Sequence, residues 1–496
     1  GGTYSQSCRR LLTGLRGTSS QPITIRAATG EVPLLTRPVA VLFTYADHNL
    51  EIQDSSYLII RGLKFRGGRT GIAFLGTNDH ITVEDGEVYE TGGSGVAMIG
   101  GTLDALTLRR NHVHHTGRSA AANTDGEGIA LGCATAGCQA TNSLVEGNHL
   151  HHTMSTGTGR SDGIALEAGS IGNTVRDNVV HDTAAGSRRF PCLSAAGGGV
   201  PANLLEGNVA WNCSAGISVT ADALVRNNVL FNADLGLASA PRAGVAQQKA
   251  LTIVHNTLHG HPECLELRWA GATSSVLANN AIYCPGTTAV DATGLTGAGV
   301  TVSANYVQGT LTGVSLDGTT FRAGGSDTAA FVNPHAADFW PTTGSPLRGT
   351  ADAARTAATD FNGTPRSAPM DVGAYETNGA STNPGWKIQP DLKPISSVSS
   401  TPPPPGDTTA PTVSLSAPAA GATVSGTVTV SATASDDVGI TGVQFVLDGV
   451  NLGAEDTTSP YSVSWDTTTA TNAAHTLTAV ARDAAGNTDT SAARTV

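Results

Sequence analysis

The stretch Asn208-Val-Ala-Trp-Asn-Cys-Ser-Ala-Gly-Ile217 recurs 20 residues later as Asn228-Val-Leu-Phe-Asn-Ala-Asp-Leu-Gly-Leu237. Each copy places an aliphatic residue two positions after an Asn, and a second one directly after a Gly. Short alternating runs of apolar and polar residues separate turn residues, and no helical periodicity accompanies them. A period of about 20–30 residues built from short strands is typical of a solenoid whose coils stack on one another.

Both patterns continue along most of the chain. The Asn positions recur at intervals of 20 to 37 residues, at Asn111, Asn148, Asn178, Asn208, Asn228, Asn256, Asn280 and Asn305. The Gly positions are Gly71, Gly95, Gly128, Gly163, Gly216 and Gly236. An Asn on every coil can stack its amide along the axis and bond to turn backbone. We therefore predict that residues 1–376 form an all-β domain, a right-handed parallel β-helix (solenoid).

The remaining sequence divides into a linker and a second domain. Residues 377–409 are rich in Ser and Pro and contain four consecutive prolines, which predicts an extended, semi-rigid linker. Residues 410–496 alternate apolar and polar positions in short runs, with a turn at Asp448-Gly449 and a single tryptophan, Trp465, suited to the space between two sheets. This segment resembles the bacterial immunoglobulin-like β-sandwich modules attached to secreted glycan-acting and surface proteins.

Length and charge exclude several classes. The chain has 496 residues and a formal net charge of −12. It is too long for one compact core, and its acidic balance argues against a nucleic-acid partner. No apolar run approaches the roughly 18 residues of a membrane span. The abrupt beginning at Gly1 predicts a piece of a longer protein.

Cysteine spacing suggests disulfides and export. Cys133 and Cys138 bracket a short loop, and two further pairs are separated by about one coil. Those pairs are Cys192 with Cys213 and Cys264 with Cys284. The seventh cysteine, Cys8, is left without a partner. Disulfides between neighbouring coils predict a secreted or cell-surface protein, whereas buried free thiols are the alternative.

Several segments together resemble a known group of proteins. They are Ile23-Thr-Ile-Arg-Ala27, Tyr57-Leu-Ile-Ile-Arg-Gly-Leu-Lys-Phe65, Asp360-Phe-Asn-Gly363 and Asp371-Val-Gly-Ala-Tyr-Glu376. They are similar to secreted right-handed parallel β-helix proteins related to pectate lyases, chondroitinase B-like lyases and polygalacturonases. The resemblance spans nearly all of residues 1–376 and implies a polysaccharide partner.

One acidic pattern occurs on two consecutive coils. Asp125-Gly-Glu127-Gly-Ile-Ala-Leu131 is followed by Asp162-Gly-Ile-Ala-Leu-Glu167. In register, Glu127 and Asp162 occupy the same place, about one strand spacing apart. Stacked like charges require a cation, a shared proton or an arginine. Glu127, Asp162 and Glu167 are therefore candidate Ca²⁺ ligands, and paired carboxylates are candidate acid and base. A solvated acidic ladder is the structural alternative.

The resemblance suggests two roles for this cluster. The polygalacturonase motif implies that Asp125 and Asp162 are catalytic carboxylates, although Ser161 replaces an expected Asp and no Gly-His-Gly follows in the next coil. The lyase resemblance implies Ca²⁺ on adjacent coils and a basic residue that removes the proton at C5. The usual Lys is missing, so the predicted base is Arg160, Arg188 or Arg189, although arginine is unusually basic for that role.

A ladder of ring-bearing residues follows the recurrent aliphatic positions. It comprises Tyr89, His114, His151, His181, Trp211, Phe231, His259 and Tyr283. We expect an aromatic stack along one side of the helix, and a sugar-stacking platform if the ladder faces outward. His112, His114, His149 and His151 also permit a transition-metal site. His151 is a candidate catalytic base, and the predicted substrate-binding residues are Arg118, Arg189, His114 and Trp211.

Three classes of function remain open. The leading expectation is a secreted enzyme that cleaves a uronate-containing polysaccharide by calcium-assisted β-elimination, with hydrolysis by Asp125, Glu127 and Asp162 as the alternative. A noncatalytic glycan-binding or adhesive protein is the second class, and an extracellular structural element is the third. Loop inserts are predicted to wall a cleft over the acidic coils, at residues 117–125, 132–142, 153–161 and 186–199.

Overall fold

The chain divides into two compact units, Gly1–Ser400 and Thr401–Val496. A computed structural model describes most of both units. The described residues are 2–5, 10–38, 47–119, 125–133, 137–155, 159–185, 188–197, 199, 201–220, 222–240, 250–269, 272, 274–295, 299–394, 410–435, 440–456, 460–483 and 488–496. Side chains at 184, 185, 188, 189, 441 and 483 also lie outside the description.

The first unit is a parallel β-helix, as predicted, in which each coil contributes strands to three columns of parallel neighbours. Column one follows the Asn positions and contains Thr3–Ser5, Leu34–Arg37, Lys64–Gly67, Glu87–Tyr89, His112–His114, His149–Thr153, Val179–Ala185, Val209–Trp211, Val229–Phe231, Thr257–His259, Ala281–Thr293, Asn305–Thr312 and Phe321–Ala323. Column two follows the Gly positions and contains Arg10–Thr13, Leu50–Gln53, Ile72–Leu75, Val96–Met98, Ile129–Leu131, Ile164–Leu166, Leu193–Ala195, Ala215–Val219, Leu235–Ser239 and Glu263–Arg268, ending on Ala281–Thr293.

Column three closes each coil. It contains Ile23–Arg26, Ser56–Arg61, Thr77–Glu84, Thr102–Asp104, Thr107–Arg109, Gln139–Thr141, Leu144–Glu146, Ser170–Ile171, Thr174–Arg176, Asn203–Glu206, Ala223–Arg226, Leu251–Val254, Ser275–Ala278 and Val300–Ser303. The inward-facing aliphatic residues of all three columns form one continuous core along the axis.

The Asn positions form a closed hydrogen-bonded column from Asn111 to Asn305. Asn178 is representative: its Oδ1 accepts from the backbone N and the Nδ2 of Asn148 at 2.9 Å. Its Nδ2 donates to Asn208 Oδ1 at 3.0 Å and to the carbonyls of Val145 and Arg176. The predicted ladder is confirmed, and it satisfies the corner backbone that a strand ladder cannot reach.

The Gly positions are explained by the close approach of neighbouring coils. A Cβ atom on Gly128 would lie 2.5 Å from the carbonyl oxygen of Gly163 and 2.7 Å from Leu150 Cδ2. Contacts this short exclude any side chain unless the coils move apart. The recurrent glycine therefore sets the spacing at the start of column two.

The three predicted disulfides are present. Cys192–Cys213 and Cys264–Cys284 join adjacent coils, and all four of these cysteines are fully buried. Cys133–Cys138 closes a short loop. Cys8 lies outside the described residues.

A closing segment, residues 324–394, packs on the outer face of column one. It contains the helix Asp327–Ala330, the antiparallel strands Phe331–Asn333 and Asp338–Pro341, and the 3₁₀ turns Pro334–Ala336 and Ala353–Arg355. Its aromatic residues, among them Phe339 and Trp340, form a second apolar cluster with Val209 and Tyr283 of column one.

Part of the segment predicted as a linker belongs to this layer. Trp386 and Ile388 pack against the second cluster. Lys393 Nζ donates to Asp177 Oδ1 at 2.5 Å and to the carbonyls of Gly207 and Phe361. Residues 377–394 therefore lie on the β-helix because their few apolar and charged side chains find partners there, and residues 395–409 are outside the description.

The second unit is a two-sheet β-sandwich, as predicted. One sheet contains Thr412–Ala417, Thr427–Ser435 and Ser462–Asp466. The other contains Ile440–Leu447, Val450–Asn451, Thr476–Asp483, Thr488–Thr490 and Arg494–Thr495, and a 3₁₀ turn spans Thr467–Thr469. Trp465 is buried in the core with Phe445. No helix in the described part of either unit is long and apolar enough to cross a membrane.

Candidate functional site

Glu127 and Asp162 occupy the same rung position on neighbouring coils, as the sequence predicts. Pairing of Ile129 with Ile164 fixes this register, and Gly128 N donates to the carbonyl of Asp162 at 2.9 Å. The preceding rung places Ser94 beside Glu127, and the Ser94 hydroxyl donates to Glu127 Oε2 at 2.8 Å. The carboxylates lie just before column two, where the chain enters each Gly-aliphatic strand.

Arg160 neutralises two of the clustered carboxylates. Its guanidinium forms ion pairs with Asp162 Oδ2 and Glu167 Oε1. Asp162 is 0% exposed, and the Ser194 hydroxyl also donates to its Oδ2. Burial lowers the pKa of Arg160, but Asp162, Glu167 and Glu127 outweigh burial and raise it above its ordinary value. The predicted role of Arg160 as a proton-abstracting base is therefore disfavoured, and the residue instead fixes a positive charge.

Glu127 differs from Asp162 because it forms no ion pair with any of the described residues. It is 6% exposed, and burial, together with the charges of Asp125 and Asp162, raises the pKa of Glu127 to about 8. Asp125 is exposed, and its Oδ1 accepts a hydrogen bond from the backbone N of Arg160 at 2.8 Å. The raised pKa favours the protonated form of Glu127 at neutral pH. A buried carboxyl that keeps its proton is the form that a general acid needs.

The cluster does not fit the predicted calcium ion. The guanidinium of Arg160 occupies the place of the cation between Asp162 and Glu167. In the described residues, Glu127, Asp162 and Glu167 do not bring three ligand atoms within 4.8 Å of one another. Asp162 Oδ1 is buried without a hydrogen-bond partner, so this rung keeps one unused acceptor within the described structure.

The ring-bearing residues from Tyr89 to Phe231 form a continuous stack on column one, whereas the rings of His259 and Tyr283 contact Phe331 of the closing segment. Ring centroids are 5.0 Å apart for His114 and His151, 5.2 Å for His151 and His181, and 4.3 Å for His181 and Trp211. Trp211 then stacks on Phe231 at 5.4 Å. The predicted stack is present, but both faces of His114, His151 and Trp211 are occupied by neighbouring rings. A sugar would therefore meet ring edges rather than a free aromatic face.

His151 contacts other histidines rather than the acidic cluster. Its Nε2 lies 2.8 Å from His112 Nε2, and its Nδ1 lies 2.6 Å from His152 Nδ1. Burial, followed by the neighbouring His149, lowers the pKa of His151. The role of His151 as a base in the acidic cluster stays a prediction without a supporting contact.

The remaining predicted residues lie around the same coils. Arg118 is exposed, and its positive charge contributes to lowering the pKa of Glu90. The backbones of Arg188 and Arg189 pair antiparallel with Ala185 and Ala184, while their side chains lie outside the description. The predicted cleft-forming loops are described only in part, since residues 120–124, 134–136, 156–158, 186–187 and 198 lie outside the description.

Sequence reasoning missed the two serines of the cluster, Ser94 and Ser194. Ser94 precedes Gly95, so alignment of the Gly positions would have placed it on the rung next to Glu127. Ser194 pairs with Ala165 in column two. It occupies the position that outward-facing alanines hold on the preceding coils, among them Ala97 and Ala130. That break in an alanine row was the available signal.

Family models match both units. Residues 48–229 match the right-handed β-helix region model, and residues 411–479 match the bacterial Ig domain model. No curated protein sequence matches the chain.

Solved structures include similar β-helices. The mannuronan C-5 epimerase AlgE6 A-module of Azotobacter vinelandii is 14% identical, covers 66% of this chain and 90% of its own, and gives a TM-score of 0.33. The catalytic unit of a GH87 α-1,3-glucanase from Streptomyces thermodiastaticus is 16% identical, covers 66% and 62%, and gives a TM-score of 0.29.

The fibronectin(III)-like modules of Clostridium thermocellum CbhA are similar to a part of the chain. They are 32% identical over 18% of this chain and give a TM-score of 0.15. The match spans 44% of their length. With the strand columns, the sandwich and both family models in agreement, the chain consists of a right-handed parallel β-helix domain followed by a bacterial immunoglobulin-like domain.

Proposed function

We propose that the β-helix domain is a secreted glycoside hydrolase that acts on a uronate-containing polysaccharide at the Asp125/Glu127/Asp162 cluster. The observation that carries the proposal is a difference in surroundings between two carboxyl groups at the same position of neighbouring coils. Asp162 is neutralised by Arg160, whereas Glu127 at the same position of the neighbouring coil is buried beside Ser94 and forms no ion pair within the described part of the chain. The three disulfides support the assignment to an oxidising compartment.

Each side chain then has a distinct role. Glu127 donates its proton to the glycosidic oxygen as the bond from that oxygen to the anomeric carbon breaks. Asp125 accepts a proton from the water whose oxygen attacks the anomeric carbon. Asp162 and Ser194 are positioning residues, because they hold Arg160 through hydrogen bonds and an ion pair. Arg160 in turn keeps Asp162 and Glu167 together, and these two carboxylates already balance its charge.

β-Elimination is the second candidate. It is favoured by Arg118, an exposed arginine that follows Gly117, where the chain approaches Gly126 of the cluster. The charge of Arg118 would neutralise the uronate group whose neighbouring proton is removed. No step of either candidate is assigned to a calcium ion, because Arg160 occupies the cation's place in the cluster.

One assay separates these candidates. Polygalacturonate, other uronate polymers and neutral glucans are incubated with the full chain, and reducing ends and near-ultraviolet absorbance are both recorded. Hydrolysis predicts new reducing ends without absorbance, and the activity persists in EDTA. We expect Glu127→Gln to lower the rate by about 10²–10⁴-fold, the usual contribution of a general acid.

The matched control is Glu146→Gln, which changes a buried glutamate on column three that is paired with Arg176. It is expected to retain activity. A product that absorbs in the near ultraviolet would be unsaturated. It would identify the reaction as elimination rather than hydrolysis. Binding without cleavage of any polymer would contradict the enzymatic assignment. Equal rates for Glu127→Gln and Glu146→Gln would contradict the role of Glu127 as general acid.

A further inference from the structure

Seven histidines cluster on the outer side of column one across three coils. They are His112, His114, His115, His149, His151, His152 and His181. Register pairs His112 with His149, and His114 with His151 and His181. The inward positions between them, Val113 and Leu150, belong to the core. The repeat therefore brings two parallel rows of imidazoles to one surface.

Stacking accounts for the rows but not for the contacts between them. The rings of His112 and His149 are parallel at 4.8 Å, as a coil repeat requires. His112 Nε2 also points diagonally to His151 Nε2 in the other row, at 2.8 Å. The ligand atoms of His112, His149 and His151 all lie within 4.8 Å of one another. Three imidazoles thus bring one nitrogen each into the same small region.

Outer contacts orient these rings. His151 Nδ1 lies 2.6 Å from His152 Nδ1, and His149 Nε2 lies 2.9 Å from His181 Nε2. His181 Nδ1 in turn lies 2.7 Å from Asp182 Oδ2. Histidines that bind metals are commonly oriented through their other ring nitrogen by such neighbours. The ligand set is therefore held in place before any ion arrives.

We propose that His112, His149 and His151 form a site for one transition-metal dication, with Zn²⁺ as the preferred ion. Imidazole nitrogen suits Zn²⁺, Cu²⁺ and Ni²⁺ rather than Ca²⁺ or Mg²⁺. Three protein ligands leave one position open for water, as in catalytic zinc sites. Zn–N bonds of about 2.0–2.1 Å place tetrahedral ligands about 3.3 Å apart. The 2.8 Å contact between His112 and His151 therefore needs to widen by only about half an ångström, as the ion replaces their shared proton.

A second group overlaps the first. Glu87, His112 and His114 also bring their ligand atoms within 4.8 Å of one another, and His114 Nε2 lies 3.1 Å from Glu87 Oε1. Because His112 belongs to both groups, the region is expected to bind a single ion. The two sets differ in the residues that join His112, which are His149 and His151 in the first set and Glu87 and His114 in the second.

The test uses the full chain without a polyhistidine tag, stripped with EDTA and dialysed. Zn²⁺ titration by calorimetry is expected to give one ion per chain, and Co²⁺ is expected to give the visible spectrum of a four-coordinate site. His112→Asn and His151→Asn are each expected to weaken Zn²⁺ binding at least about 100-fold. His335→Asn alters an exposed histidine of the closing segment and is the matched control with unchanged affinity.

Folding is followed separately by circular dichroism, and Zn²⁺ is expected to raise the Tm of the wild type but not of His112→Asn. Absence of Zn²⁺ binding in folded wild-type protein would overturn the proposal, as would unchanged affinity in folded His112→Asn. Loss of binding in Glu87→Gln with retention in His149→Asn would reject the assigned ligands in favour of the overlapping group. The site is independent of the proposed hydrolysis, so either assignment can fail alone.

Discussion

The Asn column and the histidine rows run along the same coils, yet they use their polar groups differently. Each Asn of the column donates to one neighbour and accepts from the other, as Asn178 does with Asn208 and Asn148. The histidines stack with the same coil spacing, but their nitrogens converge on other histidines at the surface. A repeated polar residue thus has an architectural role where the next coil satisfies all of its hydrogen-bonding groups. It is available for chemistry where its side chain can still bind another group.

The largest effect on the free energy of unfolding is expected from removing one side chain of the hydrogen-bonded Asn column. Asn178→Ala removes five side-chain hydrogen bonds and leaves their buried partners unsatisfied. At about 1 kcal/mol each, we expect a loss of about 5 kcal/mol in the free energy of unfolding, measured by urea denaturation. Asn333→Ala, at an exposed strand position, is the control and should cost less than about 0.5 kcal/mol. Similar losses for both variants would contradict the architectural role.

The acidic residues of the two coils are an intermediate case. Arg160, which is not part of the repeated pattern, pairs with two of them. Arg160→Met leaves Asp162 and Glu167 without their cation. Removing one partner of a buried ion pair should destabilise the domain by about 4 kcal/mol. The same denaturation experiment checks this value. Arg110→Met is the control, because Arg110 is more exposed and Glu84 keeps other arginine partners. A stable Arg160→Met variant would mean that the acidic rungs do not depend on Arg160.

The smallest effect concerns the proton on Glu127. Because its pKa is raised to about 8, the folded state binds this proton more tightly than the unfolded state does. Its contribution to stability is complete below the unfolded-state pKa and is lost as pH rises towards 8. Between about pH 5 and pH 8 the wild type should lose about 3 kcal/mol more than Glu127→Gln. Parallel pH profiles for the two proteins would place the pKa of Glu127 near its ordinary value.

Much of the fold follows from two recurring residues. The Asn and Gly positions predict the columns, and alignment on Gly128 and Gly163 predicts that Glu127 lies beside Asp162. These inferences succeed because a parallel stack repeats its register from coil to coil. The cysteine pairs are predictable for the same reason.

Other features depend on contacts that no repeat specifies. The closing segment has no period, so its packing through Phe339 and Trp340 depends on tertiary contacts alone. Which residues Arg160 contacts depends on the conformation of the chain around it, which residue spacing does not determine. Spacing therefore predicted that Arg160 is a catalytic base, whereas in the structure it forms an ion pair with Asp162. The approach of His112 to His151 depends on ring rotation, which residue spacing leaves undetermined.

The Lys393 contact has a consequence for how the solenoid comes apart. Linear repeat arrays generally lose order from their ends, one coil after another. Here the ion pair joins residues 216 positions apart in the chain, and the closing segment also bonds to Asn227 and Asn279 on later coils. The coils between Asp177 and the closing segment therefore cannot peel away singly until those contacts break. This half of the β-helix should open as one cooperative block, whereas the earlier coils remain free to fray.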